Sequence, residues 1–291
     1  MVPCLSQLTT LPQSFDADIH TAAQVGWPAL EVWLTKLEQH LEKHTIAETQ
    51  QLVHDSGVRL VAAAGQGGLF VEETLARRSH WEHFRRRLEL CQALSIPVLV
   101  VALDLPASWS RQASAELIAQ LQRAADWAQA FGVRLAIEFQ ANAPFCNCLD
   151  TAVTLIHSCR HPALQVCLDL FHFYKGPSKT EDLHRLHLEH LGHVQVCDVA
   201  GLPREVWTDA DRIFPGEGDL PLPELLAPLI RLGYTGPISL EVPNPQLWQA
   251  GATQVMHLAW NAWQNCWNNL RTRSTDSTPQ YPARATSQGT T

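Results

Sequence analysis

A (β/α)8 TIM barrel in a single domain is the fold this sequence predicts, and three observations predict it. Short apolar runs alternate with segments of helical spacing along most of the 291 residues. Four successive runs end in a polar residue: Leu135-Ala136-Ile137-Glu138, Val166-Cys167-Leu168-Asp169, His193-Val194-Gln195 and Ile238-Ser239-Leu240-Glu241. Finally, the residues two before those ends, Ala136, Cys167, His193 and Ser239, are mostly small, whereas their neighbours are aliphatic. Side chains alternate across a strand, so the small set and the polar ends share a tight interior while the aliphatic set faces a ring of helices.

Four further strands are expected at 3–8, 29–34, 58–63 and 97–103, which completes eight. Helical spacing appears between them, as in Trp81, Phe84 and Leu88, and in Leu117, Leu121, Ala124, Ala128 and Phe131. Gly26, Gly57, Gly132 and Gly233 stand where helices should end, a few residues ahead of the next strand. The last helix, about 253–270, carries Trp260, Trp263 and Trp267. Core packing is their first reading and a homo-oligomer surface the second. Residues 1–270 are assigned to the barrel. From Arg271 the composition turns to Ser, Thr, Pro, Gln and Arg, and 271–291 is expected to be a disordered tail.

Bulk properties exclude some classes of partner. The net charge is −8, and three Arg against one Asp beyond residue 270 leave about −10 on the barrel. Such a surface suits neither nucleic acid nor an anionic membrane. No N-terminal leader and no run of about 18 apolar residues is seen. Eight scattered cysteines without a C-x-x-C pair read as free thiols. A soluble, cytoplasmic protein with a small carbohydrate-like substrate is expected.

Barrel chemistry sits at the C-terminal ends of the strands, where Glu138, Asp169, Gln195 and Glu241 would converge. Oxygen ligands with no Cys and little imidazole favour a divalent metal ion such as Mn²⁺ or Mg²⁺ over Co²⁺ or Zn²⁺. Four such ligands leave two octahedral positions for a substrate carbonyl and a neighbouring hydroxyl. Glu31 and Trp33 share the inward face of strand two; Trp33 either stacks on a sugar or plugs the barrel. Lys36 either binds an anionic group or sits in solvent, and Gly65-Gln66-Gly67-Gly68 reads as a mouth loop.

Several motifs resemble the xylose-isomerase-like TIM-barrel superfamily of sugar isomerases and epimerases. They are Gly26-Trp-Pro-Ala-Leu-Glu31, Ala136-Ile-Glu138, Leu168-Asp169-Leu-Phe-His172, His193-Val-Gln195-Val-Cys-Asp198, Phe214-Pro-Gly-Glu-Gly-Asp219 and Gly233-Tyr-Thr-Gly-Pro-Ile-Ser-Leu-Glu241. The His-Val-Gln run looks most like hydroxypyruvate isomerase and its relatives, in which the third metal ligand is Gln. The resemblance implies that Glu138, Asp169, Gln195 and Glu241 hold the metal and that Glu138 and Glu241 are the catalytic acid-base pair. His172 then becomes a substrate contact, and Arg212 holds substrate oxygens or else pairs with Asp209 or Asp211.

The implied reaction is isomerisation or epimerisation of a small sugar or hydroxy-keto compound through a metal-bound enediolate. The first alternative is a dehydratase acting on an inosose or dehydroshikimate. A phosphodiesterase of the endonuclease IV kind would need histidines at the ends of strands three and four, where the chain offers Gln66 and Asp104. The last alternative is a non-catalytic sugar-binding barrel.

Overall fold

Eight parallel strands close on themselves in sequence order, β1 to β8, in a computed structural model that describes residues 1–70, 74–103 and 111–276. The strands are β1 (Val2–Ser6), β2 (Ala29–Trp33), β3 (Arg59–Gln66), β4 (Val98–Ala102), β5 (Arg134–Glu138), β6 (Leu164–Asp169), β7 (Leu191–Val196) and β8 (Pro237–Leu240). Between β1 and β5 run α1 (Phe15–Val25), α2 (Leu34–Leu41), α3 (Ile46–Ser56), α4 (Thr74–Ala93) and α5 (Arg111–Ala130). The second half carries α6 (Leu149–Cys159), α7 (Leu170–Lys175), α8 (Leu222–Arg231), α9 (Pro245–Trp248) and α10 (Ala252–Asp276). Closure is made by β8 against β1, with Val2 opposite Pro237 and Leu5 opposite Leu240.

The two faces of the strands divide as the alternation requires. A small inner cluster joins Ala62, Ala64, Val98, Val100, Ala136 and Cys167, with Trp33 packed against it. The outer positions, such as Leu135, Ile137, Val166, Leu168, Ile238 and Leu240, belong to one large core shared with the helices. Small side chains inside let eight strands approach the barrel axis and leave room above them for polar groups.

Several strand ends shift by a residue or two, as at β1, and two elements differ by more. Strand β3 extends to Gln66 rather than stopping at Ala63, so Gly65 lies in the strand with φ +98. A side chain is excluded there because a Cβ on Gly65 would stand 3.0 Å from the Trp33 ring. The last helix continues past Arg271 to Asp276, into the segment assigned to a tail; residues 277–291 lie outside those described, as does Asp104. Of the α10 tryptophans, Trp263 is buried in the core and Trp260 and Trp267 are half-buried against it. Trp260 meets Trp27 edge-on at 5.0 Å, Trp263 stacks on Trp267 at 5.1 Å, and the Trp27 indole N–H donates to the Met256 carbonyl at 3.2 Å.

Lys36 corrects both sequence alternatives. It is buried, and its ammonium pairs with Asp18 at 2.6 Å while donating to the carbonyls of Thr10 at 2.7 Å and Gln7 at 3.1 Å. It therefore ties α1 and α2 to the segment after β1 and offers no charge to a ligand. Breaking a buried pair strands the remaining charge, at a cost of about 3 kcal/mol or more. Lys36→Met should lose about that much stability in urea denaturation, with part recovered by adding Asp18→Asn; an unchanged midpoint would refute this role.

Candidate active site

Parallel closure brings the C-terminal strand ends to one mouth, and the register sets their heights. Glu138 lies opposite Cys167, and Asp169 opposite Gln195. Glu241 follows β8 directly. The resulting cavity has a volume of about 410 Å³. Its polar wall holds Glu138, Gln140, His172, Gln195, Arg212 and Glu241, and its apolar wall holds Leu8, Trp33, Ala64, Val100, Ala102 and Pro243. Trp33 packs on the inner barrel cluster and also lines the cavity.

Arg212 is the hub of the polar wall. One guanidinium nitrogen, Nη1, is 2.8 Å from Asp169 Oδ2 and donates to Glu241 Oε2 at 3.1 Å. The other two reach Asp209 Oδ1 at 3.0 and 2.6 Å, and the group lies 4.1 Å over the Phe171 ring. Arg212 therefore pairs with Asp209, as one sequence reading had it, and it also lines the cavity. Its place is fixed by Asp198, whose carboxylate accepts the N–H groups of Val199, Gly216 and Leu220, each at 2.9 Å. Asp198 and Ile213 exchange two backbone hydrogen bonds at 2.8 Å, which orients the residue before Ile213. Sequence reasoning quoted Asp198 in a motif and gave it no role; an acid in a loop rich in Gly and Pro is the signal that could have found it.

Beneath the cavity lies a buried polar floor. Gln195 Nε2 donates to Glu31 Oε1 and to Glu241 Oε1, both at 2.9 Å, while its Oε1 faces the Cys167 thiol at 3.0 Å. His193 Nε2 meets the other Glu31 oxygen at 3.0 Å. Glu31 is thus inward-facing as expected, but both its oxygens are engaged below the cavity and it does not line the wall. The Gln195 amide oxygen, the atom that would bind a metal, points away from the acids. The Glu31 and Glu241 oxygens on that side accept from the N–H end of the amide, and a positive charge placed between them would favour the opposite orientation.

Charge crowding sets the proton affinities. Burial, reinforced by the Asp169 charge, pushes the Glu138 carboxyl up to about 8. Burial and then the Glu31 charge raise Glu241 well above the carboxylate range. Burial also opposes ionisation of Glu31, but the charge of His193 and its hydrogen bond outweigh it and hold that carboxyl below its ordinary value. Burial lowers the His172 pKa, leaving a neutral imidazole near pH 7 whose Nδ1 accepts the Ala141 N–H at 3.4 Å.

This donor set suits a divalent ion. Glu138, Asp169 and His172 each offer a ligand atom within 4.8 Å of one another, and buried Asp169 Oδ2 has a cationic nitrogen 2.8 Å away but no hydrogen bond. His172, read from sequence as a substrate contact, stands as close to a metal position as the acids do. Gln140, which sequence reasoning missed, donates to Glu138 Oε2 at 3.3 Å.

A pH prediction follows from Glu138. Its folded-state pKa of about 8 lies above the ordinary 4.5, so between those values the folded state holds a proton that the unfolded chain has released. Its contribution to the stability of the metal-free protein is therefore full below about pH 4.5 and falls as the pH rises through 8. Denaturation at stepped pH should show that decline, and Glu138→Gln should flatten it; the same slope in both proteins would contradict the assignment.

Comparison with known proteins gives the geometry its context. A curated inosose isomerase from Halalkalibacterium halodurans is 25% identical over 263 residues, covering 88% of this chain and 93% of that protein. A 3-dehydroshikimate dehydratase from Pseudomonas putida is 29% identical over 161 residues, 55% of this chain but 25% of that longer protein. The crystal structure of IOLI protein with a binding zinc atom superposes with a TM-score of 0.87 at 20% identity, covering 93% of this chain and 99% of that one. The profile of the xylose isomerase-like TIM barrel matches residues 19–259. With eight parallel strands closed in sequence order and that profile spanning most of them, the chain belongs to the xylose isomerase-like TIM barrel family.

Proposed function

We propose that the chain is a divalent-metal-dependent isomerase or epimerase of a small, uncharged cyclic keto-polyol. The observation that carries this reading is the pair Glu138 and Glu241, three strands apart round the barrel and lining one cavity, both with raised proton affinity. Acids whose proton affinity is raised in this way are suited to take a proton from carbon and to return it. A divalent ion held by Glu138, Asp169 and Glu241, with His172 or a turned Gln195 amide, would supply Lewis-acid polarisation of the substrate carbonyl. The oxygen-rich set favours Mn²⁺ or Mg²⁺, and a nearby imidazole keeps Co²⁺ and Zn²⁺ in play.

The chain's own residues do the rest. One of Glu138 and Glu241 removes the proton from the carbon beside the carbonyl, and either the same or the opposite acid returns it. Return to the neighbouring carbon isomerises, and return to the opposite face of the same carbon epimerises. Arg212 lies where it can donate to substrate oxygens, and Gln140 steers the Glu138 carboxylate. Trp33, Leu8 and Pro243 form a dry wall suited to the apolar face of a ring.

Charge supports a neutral substrate. Arg212 is the one cationic side chain among the described residues lining the cavity, and Asp169, Glu241 and Asp209 already surround it. A carboxylated or phosphorylated ligand would find no uncommitted positive charge there. An inosose carries no charge, whereas dehydroshikimate carries a carboxylate.

The match to a dehydratase favours a second reading, in which the same enolate expels a β-hydroxyl as water. Products formed from a panel of inososes, ketohexoses and 3-dehydroshikimate, followed by NMR with Mn²⁺ present, separate the two. Conversion of a neutral ketone without loss of water, reduced at least about 10³-fold in Glu138→Gln and in Glu241→Gln, is expected. Turnover confined to 3-dehydroshikimate with release of water would overturn the reading.

A further inference from the structure

A second group of histidines lies at the opposite end of the barrel from the mouth. His157, in the last turn of α6, and His190, in the short 3₁₀ turn just before β7, bring their rings together at the N-terminal ends of β6 and β7. His157 Nε2 stands 3.2 Å from His190 Nδ1, with the ring planes at 64°. The two rings open onto a cavity of about 470 Å³ also lined by Arg160, His161 and Glu189. None of these residues touches the proposed catalytic site.

We propose that His157 and His190 form a surface chelate for a borderline divalent transition ion of the Zn²⁺, Ni²⁺ or Cu²⁺ class. Two imidazole nitrogens bound to one such ion at about 2.0–2.1 Å stand roughly 2.9 Å apart at an octahedral angle and roughly 3.4 Å at a tetrahedral one. The 3.2 Å separation falls inside that range. The other nitrogen of His190, Nε2, lies 3.8 Å from Glu189 Oε1. The turn carrying both residues is anchored by Gln165, whose Nε2 donates to the Glu189 carbonyl at 2.8 Å.

Protons balance simply. In the metal-free pair one neutral ring donates N–H to the lone pair of the other. With His190 protonated on Nε2, toward Glu189, His157 donates from Nε2. Binding requires His157 to move that proton to its own Nδ1, which frees two lone pairs and changes no net charge on the protein. His161 shares the cavity but is committed, with Nε2 3.2 Å from Asp126 and Nδ1 accepting the Ala163 N–H at 3.1 Å. Water and open cavity supply the remaining positions.

The test uses the full chain, stripped of metal by a chelator and titrated with Zn²⁺ by calorimetry, beside His157→Gln and His190→Gln. One binding event of the parent should weaken at least about tenfold in each variant while any event at the mouth is retained. Circular dichroism checks that the variants fold. Zinc-edge anomalous diffraction from the unsubstituted protein should place a peak between the two rings. Isotherms that superimpose on the parent, or a peak confined to the mouth, would overturn the proposal. Either result leaves the reading of the mouth untouched, because that reading is tested by Glu138→Gln.

Discussion

Carboxylates crowded into one buried mouth repel one another, and most of the surrounding structure answers that repulsion. Arg212 places a single nitrogen between Asp169 and Glu241, and Asp198 holds the loop that delivers it. Gln195 turns its N–H end toward Glu31 and Glu241, and His193 balances Glu31 from below. Among the described residues Glu138 has no such cation in contact, and burial beside Asp169 raises its carboxyl to about 8. A site arranged this way stores a demand for positive charge, which a divalent ion can meet.

The rest of the mouth is largely apolar. A Cβ on Gly65 would crowd the Trp33 ring at 3.0 Å, and Arg87 fixes the same residue by donating to its carbonyl at 2.6 Å. Arg87 is itself held by Glu38 through bonds of 2.7 and 2.8 Å. The β3 end is thus built to keep an aromatic wall in place opposite the acids. A ring with one polar edge and one apolar face fits such a cavity better than an extended anionic chain does.

The barrel and its acids were legible because both follow from local alternation. Ala136 and Cys167 share a face with Glu138 and Asp169 in any regular strand, so small interior residues and polar ends announce each other. What stayed hidden depends on partners distant in sequence. Lys36 meets Asp18 across two helices, and Glu31 meets His193 at a separation of 162 residues. No periodicity encodes either pair. The orientation of the Gln195 amide was likewise beyond sequence, because it depends on which groups surround it rather than on where the strand places it. The helix past Arg271 escaped notice because its polar composition resembles that of a tail.

The most direct test of the account is solvent-deuterium exchange. The protein is incubated with an inosose in D₂O, with Mn²⁺ and then with excess chelator, and the carbon beside the carbonyl is followed by NMR. Deuterium entering at that carbon with metal, and ceasing with chelator, is the result the account predicts. A metal-loaded, folded protein that leaves every such position protonated would contradict it.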